Sequence, residues 1–214
     1  MGLPDAANWS ALLCENCPAS GERRVARGDG VSGQGRGKAE RQDLRPPEEE
    51  EARIREAYDA STSYTGTAPA GWLGPYLAQT DITLDLLREV GFSYVLDWPA
   101  DDQPFWMRTR SAPILSVPYS IELNDSPVMA FRQEGPTSFE RMMIDQFDEM
   151  LLQSAKYPLC YTIVLHPFVI GHPYRLRALR RALAHILQHR DDIWITTPGG
   201  VARHYAGLFP AGDA

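Results

Sequence analysis

The sequence predicts an α/β protein in which helices cross over between strands of a mainly parallel sheet, and three observations predict it. Short apolar runs rich in β-branched and aromatic residues recur at 92–98, 114–119, 160–165 and 193–197, each too short for an ordinary helix. Between them lie longer segments whose apolar residues follow helical spacing. Proline or glycine stands beside these segments and marks turns. Four runs are too few to close an eight-stranded barrel, which needs roughly 250 residues. Either the sheet is open or the beginning of the pattern is missing.

A chain of 214 residues that is 43 % hydrophobic and 23 % charged has the size and composition of one domain with a sizeable core. Its net charge of −7 argues against a general nucleic-acid binder. No stretch is long and apolar enough for a membrane span, and no basic-then-apolar leader opens the sequence, so the cytoplasm is the default compartment. Cys14, Cys17 and Cys160 are odd in number, and the five histidines all lie beyond residue 165, so reduced structural cysteines are expected rather than a metal site.

Taken in order, residues 9–13 (WSALL) allow a weak helical turn, and residues 20–45, rich in glycine and charge, predict a loop or disordered segment. Residues 1–45 are thus separated from a folded part over 46–210. Pro47 followed by Glu48 to Glu51 starts a helix that runs to about Ala60. A glycine-proline loop carries Trp72, and a short helix spans Thr83 to Val90 with Thr83 as cap and Gly91 as stop. The run FSYVLDW delivers Asp97 and Trp98 to a strand end, beyond which Asp101, Asp102, Gln103 and Trp106 lie in a loop. Glu122, Asn124 and Asp125 lie in the loop after the next strand, and Pro127 to Arg132 suggests a brief strand. Phe139, Met143, Phe147, Met150 and Leu151 form one face of a helix over 137–155, a core stripe. Leu176, Leu179, Leu183, Ile186 and Leu187 line an arginine-rich helix whose arginines form its solvated side.

Between these two helices the stretch CYTIVLHPFVIGHPYR places His166 at the C-terminal end of a strand, with Pro167 stopping it and a helix beginning near Tyr174. Proteins of this class commonly keep their chemistry at such strand ends. A histidine that merely closes the strand on a loop carbonyl fits the same position.

The segments GWLGP at 71–75, YVLDWPADDQPFWMRTR at 94–110, VPYSIELND at 117–125 and LHPFVIGHPYRLRALRRALAHI at 165–186, in this order, resemble the polysaccharide deacetylase family, above all its metal-independent, allantoinase-like branch. The resemblance implies an incomplete (β/α) barrel lacking its first strands, and an enzyme that hydrolyses a carbon-nitrogen bond of the amide type. It matches His166 to the family's general acid and Asp97 to a carboxylate at a strand end lining the pocket. It also implies a small-molecule amide or acetamido-sugar substrate and no cofactor. Metal-dependent relatives use an aspartate and two histidines, whereas Gln34 stands where the first histidine is expected, and glutamine is a poor zinc ligand.

Amide cleavage needs an acid to protonate the departing nitrogen, and a carboxylate that holds the histidine ring in place. Asp97 or Asp101 is the expected partner of His166, with Trp72, Trp98 and Trp106 as walls and Gln103, Glu122 and Asn124 as polar contacts. Packing at the top of the barrel is the other reading of the tryptophans. Missing first strands leave an exposed sheet edge, which favours self-association into a homo-oligomer. The alternative to an enzyme is a non-catalytic, truncated remnant that binds a ligand or a full-length relative.

Overall fold

The computed structural model describes residues 6–9, 30–33, 41–44 and 46–212. The chain divides into two compact units: Met1–Trp98 with Pro104–Val117 and Thr196–Ala214, and Pro99–Gln103 with Pro118–Ile195. Gln34, Cys14 and Cys17 lie outside the described residues.

The first unit holds the sheet. Its strands are β1 (Ala6–Trp9), β2 (Gly30–Gly33), β3 (Gly71–Trp72), β4 (Tyr94–Val95), β5 (Phe105–Met107) and β6 (Ile114–Ser116), in the order β1-β2-β3-β4-β6-β5. All neighbours are parallel except the β5–β6 pair. The sheet is open among the described residues, as the α/β reading allows. Two elements correct the expectation for residues 1–45: Trp9 ends a strand rather than opening a helical turn, and Gly30–Gly33 is a strand inside the stretch read as loop. Glycines have poor strand propensity, so pairing on either side decides this strand against its composition.

Close packing explains Gly71. A Cβ there would lie 2.0 Å from Cζ of Tyr94, whose ring crosses the position from the paired strand. Helix α1 (Pro47–Thr65) starts at the expected proline and runs one turn beyond Ala60. Helix α2 (Thr83–Val90) stops at Gly91 as read, but its cap differs. Thr83 is its first residue, and the hydroxyl donates to the fully buried Glu50 of α1 and accepts the Thr80 N–H at 2.7 Å. Ile54, Ala57, Leu87, Phe92 and Val95 pack around Trp72 into the core of this unit.

In the second unit, helix α3 (Pro136–Ser154) buries Phe139, Met143, Phe147 and Met150, the predicted stripe. Short α4 (Pro167–Ile170) and α5 (Pro173–Ile186) follow, and α5 buries Leu179 and Ile186 while Arg177, Arg180 and Arg181 face solvent. The remaining helix, α6 (Pro198–Leu208), belongs to the first unit, and its Thr197 cap accepts the Gly200 N–H.

Three expected strands are absent. Cys160–Leu165 is reduced to one bridge, Val164 with Asn124; the Cys160 N–H also donates to Asp102 O at 2.8 Å, but these contacts extend into no ladder among the described residues. Ile193–Thr197 forms no ladder and ends as the cap of α6. Ser126–Phe131 is a π-helical turn rather than a strand: Pro127 sits in its first turn, and the Arg132 N–H reaches back five residues to Pro127 O at 3.0 Å.

Candidate functional site

A single bridge builds the clearest chemical feature of the second unit. The Val164 N–H donates to Leu123 O at 2.8 Å and the Asp125 N–H donates to Val164 O at 3.1 Å, so the two segments lie side by side. Two residues past Val164, His166 falls beside Asp125. One oxygen of the fully buried Asp125 carboxylate accepts the His166 backbone N–H at 2.8 Å, and the other lies 2.7 Å from Nδ1 of the ring.

This two-point hold fixes both the backbone and the ring. A carboxylate only accepts hydrogen bonds, so the network assigns the proton to Nδ1 and leaves Nε2 outside this contact. The His166 side chain is 20 % exposed, enough for a reacting group to meet it. Phe168 packs against the ring edge-on, with centroids 5.5 Å apart, and Pro167 after it opens α4.

The first unit carries a second buried carboxylate. Asp97, 6 % exposed, accepts the Gly74 N–H at 2.6 Å and the Gln79 side-chain amide at 2.9 Å. Gly74 has no room for a side chain, since a Cβ would come within 2.8 Å of Asp97 Oδ2. Burial pushes the Asp97 pKa up to about 7, against the smaller opposing pull of the Gln79 amide and the Gly74 N–H. The Trp72 indole N–H leans on the same carboxylate more weakly still, and it has no partner in proper hydrogen-bonding geometry. Gln79 in turn accepts the Trp98 indole N–H at 2.7 Å.

The carboxylate hydrogen-bonded to His166 is therefore Asp125, while Asp97 bonds Gly74 and Gln79. Asp101 is exposed and accepts the Gln103 N–H at 3.1 Å. Trp72 is 0 % exposed and packs edge-on to Phe92, so its ring is core rather than a wall open to a ligand. Trp98 is 41 % exposed, and Trp106 is half-buried with its N–H on Phe209 O at 2.8 Å. Gln103 donates to Pro158 O, and Asn124 turns its oxygen to the Ser126 N–H.

A cavity of about 370 Å³ opens in the second unit, lined by Asp101, Asp102, Glu122, Tyr119, Cys160 and Tyr161 among others. Neither His166 nor Asp125 is in its wall, so the cavity and the His–Asp pair are separate features. Burial raises the Asp102 pKa, helped by neighbouring Asp101, and pushes the Cys160 thiol up to about 11.

Among the described residues, no three His, Cys, Asp or Glu side chains group closely enough to hold a metal ion. Asp125 is the residue that sequence reasoning passed over. It stood in the same loop as Glu122 and Asn124, and its spacing gave no sign that it alone would return to His166.

No family model matches the chain. Over 180 residues, 69 % of its length, it is 24 % identical to the peptidoglycan deacetylase of Helicobacter pylori (strain ATCC 700392 / 26695). The matched part is 61 % of that protein, so the chain spans about three fifths of this curated relative. The crystal structure of Puue allantoinase superposes with a TM-score of 0.87 at 27 % identity, covering 95 % of this chain and 67 % of that one. A probable polysaccharide deacetylase from Pseudomonas aeruginosa PAO1 gives 0.88 at 27 % identity, covering 98 % and 70 %. The open α/β sheet, the ordered sequence segments and these likenesses agree: in sequence and fold the chain is similar to polysaccharide deacetylases, with an allantoinase among its structural neighbours.

Proposed function

We propose that this chain is a hydrolase of carbon-nitrogen bonds of the non-peptide amide class, with His166 as general acid and Asp125 as the residue that holds it. The hold of Asp125 on both the backbone N–H and Nδ1 of His166 carries this reading. In the hydrolysis, a water oxygen bonds to the carbonyl carbon, the C–N bond breaks, and the departing nitrogen takes a proton. Nε2 of His166, left without a hydrogen by the commitment of Nδ1–H to Asp125, takes a proton from the attacking water and, as general acid, delivers it to that nitrogen, so the imidazole ends as it began.

The substrate class is a small amide or an acetamido sugar, in keeping with what the relatives are called. Metal independence is part of the proposal and rests on Gln34, a weak ligand where the resemblance expects histidine. Trp98, in the first unit, offers an exposed aromatic surface of its own. Asp97 supports Trp98 through Gln79.

The test is turnover of a panel of acetamido sugars and ureides by the wild-type chain, His166→Ala and Asp125→Asn, with circular dichroism to verify folding. Loss of turnover in folded His166→Ala supports the proposal, and unchanged rates reject it. Gln34 also favours a second reading, a scaffold that binds such a ligand without cleaving it. Turnover that depends on His166 counts against that alternative.

A further inference from the structure

Gln79 lies in none of the segments that carried the family resemblance, yet it joins two residues that do. Its Nε2 donates to the buried Asp97 carboxylate at 2.9 Å and its Oε1 accepts the Trp98 indole N–H at 2.7 Å. Only one orientation of the amide serves both neighbours, because a carboxylate needs a donor and an indole N–H needs an acceptor. The chain of bonds is thus directional, from Trp98 through Gln79 to Asp97, and Asp97 is fixed from the other side by the Gly74 N–H.

We propose that Gln79 is a positioning residue that sets the orientation of the exposed Trp98 ring by tying it to the buried Asp97 carboxylate. The bond from Gln79 to an ionised carboxylate is charge-assisted, and protonation of Asp97 removes that assistance. The largest influences on Asp97 besides burial come from neutral groups, the Gln79 amide, the Gly74 N–H and the Trp72 indole. With its midpoint at about 7, the Trp98 ring is held above neutrality and released below it.

The experiment is optical and needs no substrate. Acrylamide quenching and near-ultraviolet circular dichroism of the 214-residue chain are recorded from pH 5 to 9, with Trp98→Phe subtracted to isolate Trp98. The expected wild-type signal changes with a midpoint at about 7, with stronger quenching on the acid side. Gln79→Met is expected to lose the transition and to quench strongly throughout. Gln79→Glu keeps an acceptor for the indole but no donor for Asp97, and is expected to displace the midpoint. A wild-type Trp98 signal flat with pH, or a folded Gln79→Met that keeps the wild-type profile, overturns the proposal. If Gln79→Met fails to fold, an unmoved midpoint in Gln79→Glu does the same. Turnover lost in His166→Ala beside flat Trp98 optics would end this inference and leave the hydrolase reading standing.

Discussion

Asp97 and Asp125 are both buried carboxylates, and each accepts two hydrogen bonds, yet they are built for different work. Asp97 meets only neutral donors, a backbone N–H and a side-chain amide, so the loss of solvation is left uncompensated and its pKa climbs to about 7. Asp125 meets an imidazole, a group able to take up the balancing positive charge. What a buried acid does is therefore decided by whether its partner can carry charge. Burial alone does not separate the two, since both are nearly or fully enclosed.

The largest effect that would break this contrast is on turnover. His166→Ala should lower it by about 10²- to 10⁴-fold, the usual contribution of a positioned general acid. Asp125→Asn should cost less, about 10- to 100-fold, the scale for losing a partner that orients a histidine. Equal losses would mean that Asp125 does more than orient the ring, and no loss would mean that the pair is structural.

The next effect belongs to Asp97 and is read in stability. Its folded-state pKa stands above the ordinary 3.8, so between 3.8 and about 7 the folded chain holds a proton that the unfolded chain has released. The stabilisation is complete below pH 3.8 and is lost as pH rises through 7. At about 1.36 kcal/mol per pH unit the loss is at most about 4 kcal/mol. Urea denaturation at pH 5 and pH 8 should show the wild-type chain weakening with pH relative to Asp97→Asn. Parallel behaviour of the two would show that Asp97 is ionised across the whole range.

The sequence announced one half of each arrangement. His166 was visible because a proline follows it at the end of an apolar run, and Asp97 because FSYVLDW delivers it to a strand end; both are local signals. Their partners were not visible. Asp125 reaches His166 across 41 positions and Gln79 reaches Asp97 across 18, and nothing local records such closures. The same limit explains the misread strands. Propensity made Cys160–Leu165 a strand, but a strand exists only beside a neighbour, and among the described residues this one makes a single bridge, at Val164. Gly30–Gly33 is the reverse case, a poor sequence made into a strand by β1 and β3 on either side. Helix α3 was legible in detail because its stripe is written within one element.

A third buried acid sharpens the comparison at smaller scale. Glu50 is 0 % exposed in the first turn of α1, and like Asp97 it is met by neutral donors, here the hydroxyls of Thr83 and Thr80, the latter at 2.7 Å. It differs in standing at a helix N-terminus, where the backbone dipole favours a negative charge. Thr80→Val keeps the shape of the side chain and removes one of the two hydroxyls. The expected loss is about 1–3 kcal/mol, the range for leaving a buried polar group without one of its hydrogen-bond partners. For a chain of this size that lowers the melting temperature by roughly 2–4 °C per kcal/mol, measurable by calorimetry. A loss that vanishes would show that the helix terminus and Thr83 hold the carboxylate without Thr80. Hydroxyl donors would then be dispensable where a helix dipole is present, a support that Asp97, held by one backbone N–H and one amide, does not have.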